Sequence, residues 1–284
     1  MWILLAALSA AFAGLTSVLA KLGGQKIDSN VATALRTVVV LAMAWLMAAI
    51  SGGVCTLGEV DFRSAVLLML SGVTTGASWL CYYRALQLGE VGRVMAVDKF
   101  SAVLTPLLAF ALLGEAFSAG SAAAMALIAL GTALMLRRPG AGGQGAKWLP
   151  YAIGSAVFAS ATALLGKLGI AGVESNLGTA IRTCVVLVMA WGMVFVTGKA
   201  GEVRTIGARA GAMLALSGVA TGASWLCYYR ALQLGPLSAV ASIDRMSLLV
   251  AALLARVLLG ERLGRREGVG LAVLTAGTVL MVLG

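Results

Sequence analysis

The apolar positions of this chain fall into long runs rather than into the alternating or striped patterns of a soluble domain. A run of about 17–25 mostly apolar residues can cross a bilayer as a helix. Ten such runs follow one another, roughly 2–21, 31–51, 64–83, 93–113, 119–136, 148–167, 177–197, 210–229, 238–259 and 267–283. They predict an all-α membrane protein with ten transmembrane helices. The polar stretches around 51–63, 137–147 and 198–209 are too short to fold as domains of their own.

The runs are one unit written twice. The segment Gly76–Gly89 recurs unchanged at Gly222–Gly235, an offset of 146 residues. The same offset pairs Lys21 with Lys167, Arg36 with Arg182, Trp45 with Trp191, Asp98 with Asp244, and Gly114-Glu115 with Gly260-Glu261. About 60 of 138 aligned positions are identical. Residues 1–138 and 147–284 are therefore read as two five-helix units joined by a linker at 139–146. Five is odd, so the second unit must enter the membrane from the opposite side. Inverted repeats of this kind are a recurring transporter architecture.

Composition narrows the chemistry. Of 284 residues, 61% are hydrophobic and 11% charged, against about 45–50% and about 25% in soluble domains. Histidine is absent, which removes the commonest metal ligand and the usual base near neutral pH. The four cysteines show no CxxC spacing, so neither a zinc site nor a disulfide framework is expected, and they read as small apolar residues. No metal, no cofactor and no enzymatic constellation are expected. The net charge of +10 has no soluble basic domain to carry it, which sets nucleic acid aside as a partner.

Topology accounts for most of that charge. The odd-numbered loops between spans carry thirteen Lys or Arg and the even-numbered loops three, namely Arg63, Lys167 and Arg230. By the positive-inside rule the odd loops are cytoplasmic and both termini lie outside, in a cell membrane that is expected to be prokaryotic.

Nine of the eleven carboxylates fall in loops or at span ends; Asp98 and Asp244 alone sit within spans. An ionisable group in the membrane marks a functional site or an ion pair by default. Arg36 and Arg182 enter their spans to similar depth, so Asp98–Arg36 and Asp244–Arg182 pairs are expected, with Lys21 and Lys167 in the same two layers. These groups are read either as structural pairs or as gates and substrate-binding groups, and the acids as candidate proton carriers. Lys99 and Arg245, beside each acid, are expected to reach for the membrane interface. Trp79, Tyr82, Trp225 and Tyr228 serve either an interfacial belt or a cavity lining. Gly72 and Gly76, with Gly218 and Gly222, form GxxxG pairs that allow helices to approach closely. Glu115 and Glu261 read as exposed acids at helix ends.

Taken together, Lys21-Leu-Gly23, Ala34-Leu-Arg-Thr37, Gly76-Ala-Ser-Trp-Leu80, Val97-Asp-Lys-Phe-Ser101 and Gly260-Glu-Arg-Leu263 resemble the EamA family of the drug/metabolite transporter superfamily. The likeness is to a tandem duplication of its small five-helix bacterial and archaeal members. It implies a secondary transporter, often proton-coupled, with a central cavity lined by spans 1, 3, 4, 6, 8 and 9. Ten-helix relatives usually keep both termini in the cytoplasm, whereas the charges here argue the reverse. The expected substrate is a small amino-acid-like, anionic or amphipathic metabolite, with a lipid or lipid-linked flippase as the alternative. The lipid bilayer, protons and a second copy of the chain are the other candidate partners.

Overall fold

The structure, a computed structural model, describes residues 1–24, 27–88, 94, 97–98, 100–135, 146–259 and 264–283. Most of the expected linker, together with Lys99, Glu261 and the Lys21 side chain, lies outside them. Every regular element among the described residues is helical. The helices are α1 (Trp2–Gly24), α2 (Ser29–Ile50), α3 (Phe62–Leu88), α4 (Ser101–Leu113), α5 (Ala119–Met135), α6 (Leu149–Gly169), α7 (Ser175–Val196), α8 (Ala208–Leu234), α9 (Leu237–Asp244), α10 (Ser247–Leu259) and α11 (Arg265–Leu283). Seven segments are long and apolar enough to cross a membrane: α1, α2, α3, α6, α7, α8 and the combined stretch Leu237–Leu258. Three shorter apolar helices, Ser101–Leu113, Ala119–Leu134 and Gly268–Leu283, accompany them.

Local sequence sets the helix ends. Asp28 accepts the Asn30 N–H at 2.8 Å to open α2, and Glu174 accepts the Leu177 N–H at 2.8 Å to open α7. Both carboxylates satisfy donors that a first turn leaves unpaired. After α2 and α7 the chain turns at Gly52 and Gly198, with φ of 77° and 70°, a left-handed conformation that ends a helix at little cost only for glycine.

Packing joins the two halves helix by helix. Gly23 of α1 lies against Met213 of α8 and Trp2 against Gly235, so α1 and α8 run antiparallel. The mirror pair, α3 with α6, brings Gly169 against Leu68. In the centre, Val31 and Ala34 of α2 pack with Ala190 and Val194 of α7. The expected glycine packing falls between halves. A Cβ on Gly72 would stand 2.7 Å from the Val185 Cβ, and one on Gly218 would stand 2.8 Å from the Val39 Cβ.

One departure from the apolar pattern matters for the site. The run 238–259 is not one helix, because α9 stops at Asp244 and α10 starts at Ser247. In between, Arg245 and Met246 donate N–H bonds to Ser242 and Ile243, three residues back, at 3.2 and 2.8 Å. Such a tightened turn inside a span often marks a functional hinge. In the first half, Phe100 likewise donates to Val97 at 3.0 Å just before α4 begins. Both intramembrane acids therefore sit at interruptions, which no Pro or Gly announces at those positions.

Candidate functional site

Two hydroxyl ladders flank the middle of the molecule. On α3, Ser71, Thr75 and Ser78 share one face; on α8, Ser217, Thr221 and Ser224 repeat it. Ser71 donates to the Thr162 carbonyl at 2.9 Å, and Ser217 to that of Thr16 at 3.1 Å. Ser78 meets Ser155 at 3.3 Å and Ser224 meets Ser9 at 3.1 Å. In lipid these polar groups have no water to turn to, so they satisfy one another across the helix interface.

The ladders hold the charged residues. Ser155 donates to Asp98 at 2.6 Å, and Ser9 donates to Asp244 at 3.1 Å. Arg182 donates to Ser71 at 3.3 Å and to Thr75 at 2.8 Å, and Arg36 donates to Thr221 at 3.0 Å. Each of these bonds crosses from one half to the other. The expected Asp244–Arg182 pair is therefore corrected: among the described residues no ion pair joins the two. Ser9 holds the acid, while α3 supplies two hydroxyls one turn apart within reach of the guanidinium.

Arg182 is the most deeply placed cation described, only 2% exposed. Its guanidinium carbon stands 5.0 Å from the Trp225 ring centre and 4.9 Å from that of Tyr229, a geometry that attracts a cation to ring faces. Tyr228 and Tyr229 meet edge to face with centres 5.4 Å apart. These groups open onto a cavity of about 310 Å³ lined also by Ser9, Thr75, Trp79, Ser224, Asp244 and Arg245. Arg245, expected at the membrane interface, instead lines this cavity and donates to Ser101 of the first half at 3.3 Å. The turn between α9 and α10 aims it inward.

The remaining expected site residues divide. Trp79, Trp225 and Tyr228 line the cavity. Tyr82 packs against the cluster of Ala85, Val94 and Ala152. Lys167 is not among the cavity-lining residues and donates to backbone carbonyls of Leu232 and Gly235. Tyr229, Arg245 and the Ser/Thr faces complete the site. The spacing of hydroxyls at one and two turns on α3 and α8 is a sequence signal for those faces. No group of three or more His, Cys, Asp or Glu is placed to hold a metal among the described residues.

Comparison with known proteins identifies the family. The family model described as the EamA-like transporter family matches twice, over residues 1–137 and 146–283. An "uncharacterized transporter in cobO 3'region" from Sinorhizobium sp is 41% identical over 134 residues, 47% of this chain and 95% of that protein. A crystal structure described only as that of a protein superposes with a TM-score of 0.78, covering 99% of this chain and 96% of the other. At 15% identity, that likeness shows the fold alone. With two matches that together span nearly the whole chain, this multi-pass membrane protein belongs to the EamA-like transporter family and is a transporter rather than an enzyme.

Proposed function

We propose that the chain is a secondary transporter moving a small anionic or zwitterionic metabolite by alternating access. The observation that carries this reading is Arg182, a buried cation on the cavity wall whose contacts are hydroxyls and rings. A buried charge is costly without an ionic partner. A carboxylate or phosphate on the solute supplies that partner, and the wall's two Arg and one Asp leave a net positive charge to receive it. Asp244 offers a place for a cationic group on the same solute. At about 310 Å³ the cavity lies at the small end of ligand sites, which suits a metabolite better than a lipid.

Alternating access rests on the halves being inverted, 1–138 and 147–284 crossing five times each around the linker at 139–146. Antiparallel packing of α1 with α8 and α3 with α6 supports this. Contacts between the connections support it too, for Asp28 meets Glu202 while Gly53 meets Glu174. Odd-numbered connections thus meet odd and even meet even. The loop charges put the odd connections in the cytoplasm and the termini outside the inner membrane. Asp98 and Asp244 are the proton carriers of this scheme, and Arg36 is the counterpart of Arg182 in the opposite state.

A thermal-shift screen of the purified chain against a metabolite panel tests the reading. Stabilising compounds should carry a carboxylate or phosphate, and Arg182→Lys should weaken their effect while the protein stays folded. Stabilisation by uncharged or purely cationic solutes alone would overturn it. One observation favours the flippase alternative. An almost wholly apolar groove of about 380 Å³ runs between α1, α10 and α11, lined by Ile3, Ala7, Met246 and Val279, and reaches Ile243 beside Asp244. A headgroup-accessibility assay in vesicles separates the two.

A further inference from the structure

The Gly114-Glu115 pair is not among the residues that line the cavity. Glu115 follows α4, and its carboxylate accepts the Leu237 N–H, the Ser238 N–H at 3.1 Å, and the Ser238 hydroxyl. It therefore caps α9, a helix of the other half. The expectation of an exposed acid is corrected, because the unpaired donors and positive end of a helix N-terminus draw the carboxylate in. Nearby, Lys167 at the end of α6 donates to the carbonyls of Leu232 and, at 2.6 Å, Gly235, where α8 ends. Gln233 returns the tie, donating to Ile170 at 2.9 Å and Val173 at 2.5 Å in the connection after α6. Three connections, after α4, α6 and α8, are thus bound to one another. All are even-numbered, so they meet on one face of the membrane.

We propose that Glu115, Lys167 and Gln233 are the latch that shuts the cavity on the face of the even connections. Glu261, Lys21 and Gln87 stand at the equivalent positions of the sequence repeat. The latch rests on the alternating-access reading above. All three residues of the latch recur at the 146-residue offset, within the repeated stretches Lys21-Leu-Gly23, Gly76–Gly89 and Gly114-Glu115. Lys167 is one of three cations on a face otherwise cleared of them, and a latch explains its retention. Ser238, whose hydroxyl strengthens the Glu115 cap, is replaced by Gly92 at the equivalent position of the sequence repeat.

The test uses the full chain in oriented vesicles, with the four native cysteines replaced by Ala and Ala163→Cys as a reporter on the cavity wall. Glu115→Gln should raise labelling by a membrane-impermeant maleimide from the even face by about tenfold, the scale of one lost charge-assisted bond. Glu115→Asp should restore the original pattern. Unchanged labelling in a Glu115→Gln protein that still melts cooperatively overturns the latch. Should Glu115→Gln fail to fold, Ser238→Ala decides, with a smaller shift toward even-face labelling expected and no shift overturning the proposal. Solute uptake is followed in the same vesicles. Directional labelling without uptake sinks the transport reading and leaves the latch standing.

Discussion

Ser155 on α6 donates its hydroxyl to Asp98 at 2.6 Å, tying an acid of the first half to a helix of the second. The reciprocal contact, Ser9 to Asp244, has the same sense at 3.1 Å. Each intramembrane carboxylate is therefore held by the half that does not contain it. In the proposed transport scheme a change in its protonation acts on the contact between the halves, since a protonated acid donates where a carboxylate accepts.

Neutralising the acids should separate coupling from folding. Asp244→Asn keeps a group able to accept from Ser9, so the protein should fold. In liposomes its uptake should no longer respond to an imposed pH gradient. Asp98→Asn should have the smaller effect on solute binding, because Asp244 lines the cavity. Gradient-driven uptake that survives in the double variant would rule out these acids as proton carriers.

Arg182 is expected to recognise the solute through the shape of its guanidinium as well as its charge. Lys keeps the charge but loses the fork that serves Ser71 and Thr75 together. Arg182→Lys should weaken solute-dependent stabilisation by about tenfold or more, the scale of one charge-assisted hydrogen bond. Titration by tryptophan fluorescence reads this directly, since Trp225 stands over the guanidinium. Equal affinity in the variant would remove Arg182 from the binding site.

Close packing between halves sets a different expectation. A Cβ at position 218 would meet the Arg36 carbonyl oxygen at 3.0 Å and the Val39 Cβ at 2.8 Å. Gly218→Ala should therefore cost about 1–3 kcal/mol through overpacking. Gly192→Ala, with nothing within 4 Å of the added carbon, should not destabilise. Unfolding of the two variants in detergent, compared side by side, checks the difference.

The connection after α7 carries a pH-dependent tie. Glu202 accepts from Lys199 at 3.0 Å and from the Asp28 N–H at 3.2 Å. The Lys199 hydrogen bond, with help from the Asp28 N–H, holds the Glu202 carboxyl below its ordinary range. The same bond to Glu202 holds the Lys199 ammonium above its ordinary range. Glu202's share of the stability is present above the unfolded carboxyl value and fades as pH falls through the lowered folded one. Lys199's share is present below the ordinary lysine value and fades as pH rises through the raised one. Amide protection at the start of α2 should therefore drop at acid pH in the native chain. Glu202→Gln should show a smaller acid step, because the Asp28 cap on α2 remains, and an identical profile in both would refute the tie.

Apolar run length, the 146-residue repeat and the loop charges are legible along the chain, because hydrophobic thickness and duplication leave linear traces. So are Asp98 and Asp244, since a carboxylate in an apolar run stands out wherever it folds. The partners of those acids are not legible. A duplicated sequence offers each side chain two equivalent sets of neighbours, one within its half and one across, and only packing selects the second. Depth along a span pointed to Arg182 for Asp244, but helix orientation turned the guanidinium to Ser71 and Thr75 and left Ser9 for the acid. The turn after Asp244 is equally silent, because three-residue hydrogen bonding at Arg245 and Met246 needs no Pro or Gly to mark it. Tyr82 and Tyr228 occupy identical sequences yet differ in surroundings, one packed by Val94 and Ala152 and the other facing the cavity. Local sequence is the same for both copies, so that asymmetry belongs to how the two halves lean on each other.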